Sequence, residues 1–260
     1  MLSDEQLERY ARQLLLHRFD VAGQEALLRA SVLLVGLGGL GSPAALYLAS
    51  AGVGRLVLAD GDCVELSNLQ RQIAHGEDDV GVNKARSAAA AIAALNSETQ
   101  VEVIETNLVA ADLPTLLQLQ SVDLVVDASD NYPVRFALNR ACIAAAIPLV
   151  SAAAVRAEGQ LAVFDPARGG PCYRCLYAEG EAHAALSCSD SGVLAPVVGV
   201  LGAWQAMEAI KVLSGFGEPL RGRLLLLDFA SMDIRTLKLT PRPDCPDCAG
   251  VQRTGTASRV

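Results

Sequence analysis

The chain has 260 residues and a net charge of −8; 52% of it is apolar and only 4% aromatic, which allows one large core and excludes a basic surface for nucleic acid. Its first twenty residues are charged and lack an apolar signal-type stretch, so no secretory signal is expected. The seven cysteines are then expected to serve metal or thiol chemistry in the cytoplasm rather than a disulfide framework.

The opening Ser3-Asp-Glu-Gln6 has the capping-box pattern, and a helix is expected through Leu7, Tyr10, Leu14 and Leu15. A second short helix is expected over 23–30. This N-terminal arm, residues 1–30, serves either as a packing element or as an arm that reaches a neighbouring subunit. Next, an apolar run from Val32 to Val35 ends in Gly36-Leu-Gly38-Gly39-Leu-Gly41, followed by a small-residue helix and a second apolar run ending in Asp60. A nucleotide-binding βαβ unit needs that order. Gly36 makes the tight turn, Gly38 and Gly39 let backbone approach a phosphate or ribose, and Gly41 lets helix pack on strand. Asp60, 19 residues beyond Gly41, suits a ribose hydroxyl. A glycine turn that serves packing alone is the alternative.

Past the second strand comes Ser67-Asn68-Leu69-Gln70-Arg71-Gln72, a polar cluster at the edge where open α/β sheets bind ligands. Asn68, Gln70 and Arg71 either point at the nucleotide or form a solvated turn. Lys84 opens a helix over 83–95, capped by Asn83, on the same side. A strand over 101–105, a helix from Asp112 to about 120 and a buried strand over 122–126 follow, the last running into Asp127-Ala-Ser-Asp130-Asn131. Two acids and an amide at a strand end suit magnesium, which takes one or two carboxylates plus phosphate oxygens. Equally, Asp130 or Asn131 suits the cap of a helix over 133–145. Strands are expected over 149–151 and 160–164.

Cys172-Tyr-Arg-Cys175 and Cys245-Pro-Asp-Cys248 stand 69 residues apart. Two such knuckles fit a tetrahedral zinc site of four thiolates, structural because no coordination position stays open, and the ion would staple the C-terminal segment to the body. A redox pair is the alternative, although neither CxxC opens a helix within a thioredoxin-like pattern. Cys63 and Cys142 read as inert. Cys188, in the small polar loop 186–192, is either a reactive thiolate or an incidental loop residue. The apolar stretch 193–213 is long enough for a bilayer but contains Gln205, Glu208 and Lys211 and is interrupted by Pro196, Gly199 and Gly202, so a core or interface helix and no membrane partner are expected. Strands over 224–229 and 234–239 follow, and 250–260 reads as a disordered tail.

Together these features resemble the ThiF/MoeB/HesA family, enzymes that activate ubiquitin-like sulfur carriers. The matching stretches are Arg9-Tyr-Ala-Arg12-Gln13, the glycine turn 36–41, Ser67 to Gln72, and Val80-Gly-Val-Asn-Lys84. They continue with Asp127 to Asn131, Cys172 to Cys175, Gln205-Ala-Met-Glu-Ala-Ile-Lys211 and the final CxxC. The resemblance covers residues 1–249 as one adenylation domain. It implies an α/β, Rossmann-like ATP-binding fold whose mainly parallel central sheet is extended by antiparallel C-terminal strands and a four-cysteine zinc site.

The implied activity is adenylation of the C-terminal Gly-Gly carboxylate of a sulfur-carrier protein, with ATP and Mg²⁺. By the same resemblance, Gly39, Gly41, Asp60, Ser67, Asn68, Leu69, Gln70, Arg71, Lys84, Asp130 and Asn131 bind the nucleotide. Asp60 takes the ribose, Asn68, Arg71 and Lys84 the triphosphate, and Asp130 the Mg²⁺. Arg12 would reach the partner's phosphates across a homodimer interface. Cys188 matches a loop cysteine that takes part in acyl-persulfide or thioester chemistry in some members. No rhodanese-like domain follows within this sequence, so sulfur is expected from a separate cysteine desulfurase or rhodanese-type protein. Ala128-Ser129 and Val150-Ser-Ala-Ala depart from the family's usual residues without removing a charge. Segments 156–160 and 1–5 look more like activators of molybdopterin synthase, and 42–48 more like those of the thiazole pathway; the first is favoured. A nicotinamide oxidoreductase has no use for Arg71, Lys84 and Asp130 together, and an inactive binding module should have lost one of them.

Overall fold

The computed structural model describes residues 1–179 and 192–251. Eight strands form one sheet in the order β3-β2-β1-β4-β5-β6-β7-β8. Five are parallel neighbours: β3 (Gln100–Ile104), β2 (Arg55–Ala59), β1 (Ser31–Val35), β4 (Leu124–Asp127) and β5 (Leu149–Val155). The other three, β6 (Glu158–Phe164), β7 (Arg223–Asp228) and β8 (Asp233–Lys238), add antiparallel to β5.

All five residues of β1 are buried, as a strand covered on both faces must be. Val32 and Leu34 face a layer made by α3 (Asp20–Arg29), α4 (Gly41–Ser50), α5 (Lys84–Leu95) and a 20-residue helix, α9 (Ala195–Ser214). Leu33 and Val35 face the opposite layer, made by α6 (Leu113–Gln120) and α7 (Tyr132–Ala145). Each fully buried leucine here stabilises the fold by roughly 2 kcal/mol. Among the described residues, α9 is the one helix long and apolar enough to cross a bilayer. Its polar residues are used internally instead: Gln205 Nε2 donates to the Asp127 carbonyl at 2.7 Å, and Glu208 accepts from the Leu220 N–H at 2.7 Å.

The expected N-terminal helix is two pieces, α1 (Asp4–Arg9) and α2 (Ala11–Leu14). The break at Tyr10 has a tertiary cause: its side chain is buried, and its hydroxyl accepts from Asn96 Nδ2 at 3.1 Å. The capping box forms as read, with Ser3 and Gln6 bonded reciprocally. The arm packs on its own chain, where Arg9 Nη1 reaches the Leu95 carbonyl at 3.3 Å.

Candidate functional site

Strand β1 feeds the glycine turn and α4 on one face, while β4 feeds α7 on the other. The carboxyl ends of β1, β2 and β4 therefore diverge around a crevice, where ligands bind in sheets of this kind. A cavity of about 640 Å³ lies there, lined among others by Gly38, Gly39, Asp60, Asn68, Arg71, Gln72, Lys84, Asp130 and Asn131.

Gly36 has φ +90°, and a Cβ there would lie 2.8 Å from the Ala128 carbonyl, so both the turn and its neighbour demand glycine. Asp60 receives two backbone donors, Leu37 N–H on Oδ2 at 2.7 Å and Asp62 N–H on Oδ1 at 2.9 Å. Burial raises its pKa against the pull of these bonds and of Lys84. Each oxygen retains acceptor capacity toward the cavity. Asn83 caps α5 by accepting from Ala85 and Arg86 N–H, and so fixes Lys84 at the cavity wall. The Lys84 ammonium pairs with Asp62 at 2.9 Å. Arg71 donates to the Ser67 carbonyl at 3.1 Å and has no acidic partner among the described residues.

The cluster after β4 divides cleanly. Asp127 lies inside the strand, fully buried, and accepts from Ser129 Oγ at 2.6 Å and Ser151 Oγ at 2.7 Å. It also pairs with the buried Arg135 at 3.8 Å. Asn131 caps α7 by accepting from Val134 N–H at 3.2 Å. Asp130 is exposed at the rim, with no hydrogen bond or ion pair among the described residues. Of the three polar groups read as a magnesium cluster, only Asp130 is free to hold a cation; Asp127 is consumed by the scaffold.

Other expected positions fall differently. Gly41 does not line the cavity; its Cβ would lie 1.8 Å from the Gly36 carbonyl, so it is a packing glycine. Ser67, Leu69 and Gln70 also lie outside the lining, Ser67 donating to Glu65 at 3.1 Å. Arg12 sits exposed on α2, away from the cavity of its own chain. Cys188 lies outside the described residues. Sequence reasoning passed over Gln72, whose amide lines the cavity, and Arg135, which donates to the carbonyls of Ser129 and of Ala152, the latter at 3.1 Å. A buried arginine has no sequence signature, but Gln72 stood inside a stretch already singled out.

The four knuckle cysteines converge, with all Sγ atoms within 4.8 Å of one another. Cys172 lies 3.8 Å from Cys175 and 3.6 Å from Cys245, and Cys175 lies 3.5 Å from Cys248. A tetrahedron with metal–sulfur bonds of about 2.3 Å has edges of about 3.8 Å, so the set fits a four-coordinate ion and not a disulfide. Burial pushes the Cys172 thiol up to about 12, and a dication is what would make such a group a thiolate. Asp247, between the last two cysteines, accepts from Asn139 Nδ2 at 2.9 Å and pairs at 3.3 Å with Arg174 of the short helix α8 (Tyr173–Leu176), which docks this segment on α7 and α8. A second depression of about 470 Å³, at the opposite edge near Asp165 and Arg221, contains none of these motif residues.

A family model described as the ThiF family matches residues 10–247. The chain is 48% identical over 247 residues to the molybdopterin-synthase adenylyltransferase of Escherichia coli K12, covering 95% of this chain and 98% of that one. It is 50% identical to the adenylyltransferase and sulfurtransferase MOCS3-1 of Zea mays, spanning 95% of this chain and 53% of that longer protein. Among solved structures, E. coli MccB with ATP matches with TM-score 0.79 and 28% identity, over 92% of this chain and 73% of that one.

Proposed function

The chain belongs to the ThiF family, and from that membership and the cavity's chemistry we propose that it adenylates the C-terminal Gly-Gly carboxylate of the small subunit of molybdopterin synthase. The observation that carries this reading is the gathering of Gly38, Gly39, Asp60, Asn68, Arg71, Lys84 and Asp130 around one cavity at the sheet's switch point. Asp60 would take the ribose of ATP, and Asn68, Arg71 and Lys84 its phosphates. A carrier carboxylate oxygen attacks the α-phosphorus, the bond to the bridging oxygen breaks, and pyrophosphate leaves with the electron pair. The carboxylate is already a nucleophile, so the protein's task is alignment and screening of negative charge; each positioned cation supplies about 3 kcal/mol.

Asp130 would hold Mg²⁺, which supplies charge neutralisation at the phosphates when bound. The four cysteines would hold Zn²⁺, whose closed thiolate set leaves it a structural role. Arg12 is proposed to act across a homodimer interface, since its own cavity does not include it. The sulfur for the next step would come from a separate donor.

The test is ATP–pyrophosphate exchange with carriers ending in Gly-Gly, the molybdopterin and thiazole carriers side by side. Exchange with the first is expected. No exchange with any carrier by folded, zinc-loaded protein overturns the proposal, and exchange with the thiazole carrier alone reassigns the substrate. Cys188→Ala with exchange retained and sulfur transfer lost would assign Cys188 a covalent role.

A further inference from the structure

The backbone of Leu37, inside the glycine turn, is held at both its N–H and its carbonyl. Its N–H donates to Asp60 Oδ2 at 2.7 Å. Its carbonyl lies 3.0 Å from His75 Nε2 and accepts from the Ser42 hydroxyl at 3.1 Å. A carbonyl can only accept, so Nε2 carries the proton. In the neutral ring Nδ1 then accepts from Ser87 Oγ, 2.7 Å away on α5. His75 is buried and lies outside the cavity lining, so it touches no bound molecule itself.

Among the described residues no peptide bond is cis, and in a trans peptide the C=O and the next N–H point in opposite directions. A Leu37 carbonyl turned inward onto His75 therefore turns the Gly38 N–H outward, to the cavity that Gly38 and Gly39 line. We infer that His75 is a positioning residue of the nucleotide site: by holding the Leu37 carbonyl it presents the Gly38 N–H as a donor to an oxygen of bound ATP. The inference rests on the nucleotide reading of the cavity. Ser87 selects the ring tautomer, and Ser42 is the second, weaker hold on the same carbonyl.

Two variants of the full chain test it. His75→Phe keeps a ring and removes both nitrogens; His75→Gln keeps a donor for the Leu37 carbonyl. By calorimetric titration with ATP, His75→Phe is expected to weaken binding about tenfold, and His75→Gln to restore most of the loss. Unaltered affinity in His75→Phe overturns the inference, as does equal loss in both variants at matched unfolding midpoints. If the unsubstituted chain itself fails to bind ATP, the nucleotide reading falls and takes this inference with it. Nitrogen-15 NMR of the unsubstituted chain needs no variant to fold: the His75 proton is expected on Nε2, with the Gly38 amide shifting when ATP is added. A proton on Nδ1, or an unmoved Gly38 amide at saturating ATP, overturns it.

Discussion

Replacing Gly41 with alanine tests whether that glycine serves packing or the ligand. Its Cβ would stand 1.8 Å from the Gly36 carbonyl oxygen, 2.8 Å from that carbonyl carbon and 3.1 Å from Leu34 Cδ2, where ordinary contact begins at 3.4 Å. The two closest atoms are backbone, so no change of rotamer relieves them. Helix α4 must withdraw by more than 1 Å along a face that buries Ser42, Ala44, Ala45 and Leu48. Overpacking of this severity costs about 3 kcal/mol, and alanine's better helix propensity offsets less than about 1 kcal/mol. For a chain of this length the net loss of about 2–3 kcal/mol should lower the thermal midpoint by roughly 4–12 °C. Gly39→Ala is the comparison: the three atoms nearest its Cβ all belong to the Val198 side chain, at 2.9, 3.2 and 3.4 Å, so a shift of a few tenths of an ångström relieves the contact. That variant should keep its midpoint to within about 3 °C and lose ATP affinity instead. Thermal unfolding by circular dichroism, followed by ATP titration of both proteins, reads the contrast. A Gly41→Ala midpoint indistinguishable from the parent would refute the packing account.

Asp130→Ala should abolish pyrophosphate exchange and leave the unfolding midpoint unmoved, because the carboxylate has no partner within the described chain; retained exchange would remove its proposed role. Cys245→Ser, or stripping with a chelator, should release the metal and loosen a link between positions 73 apart. By analogy with other cross-links over loops of this size, the loss is about 4 kcal/mol, and a metal-free protein that melts like the parent would contradict it. Burial holds His75 below its ordinary pKa, so the unfolded chain takes up its proton more readily than the folded one. Its contribution is therefore complete above about pH 6.5 and is lost as pH falls toward the depressed value. Urea unfolding between about pH 7.5 and 5.5 should show a steeper loss for the parent than for His75→Gln, and parallel slopes would refute this. Asp60 is shifted up by burial and acts in the opposite sense: the folded chain holds this proton more readily than the unfolded one, so the group's contribution grows as pH falls.

What the sequence made legible was chemistry with a fixed local spacing. The run of β1, the glycine turn and Asp60 form one unit because strand, turn and acid are linked through short-range geometry, and the Asn83 cap followed for the same reason. The two CxxC knuckles could be paired across a long gap because four thiolates have few other uses. Roles that depend on burial were not legible. Asp127 and Asp130 are three positions apart and chemically identical, yet Arg135, Ser129 and Ser151 enclose only the first. Strand β5 runs on to Val155 where the sequence suggested an end near Ser151; the alanines at 152–154 are poor strand formers. They are held by full pairing with β6. His75 carries no motif of its own, and its part becomes visible only with Leu37 and Ser87 on either side of it.

The four-sulfur site also bears on how the molecule is made. Cys172 and Cys175 precede their partners by 73 positions. Every strand of the sheet lies upstream of Cys245, so all of the sheet's residues are made before the coordination set is complete. Capture of the proposed zinc would then be a closing step, made on a nearly finished body, and zinc starvation should leave chains whose sheet has formed but whose last turn hangs unfastened for proteases to find.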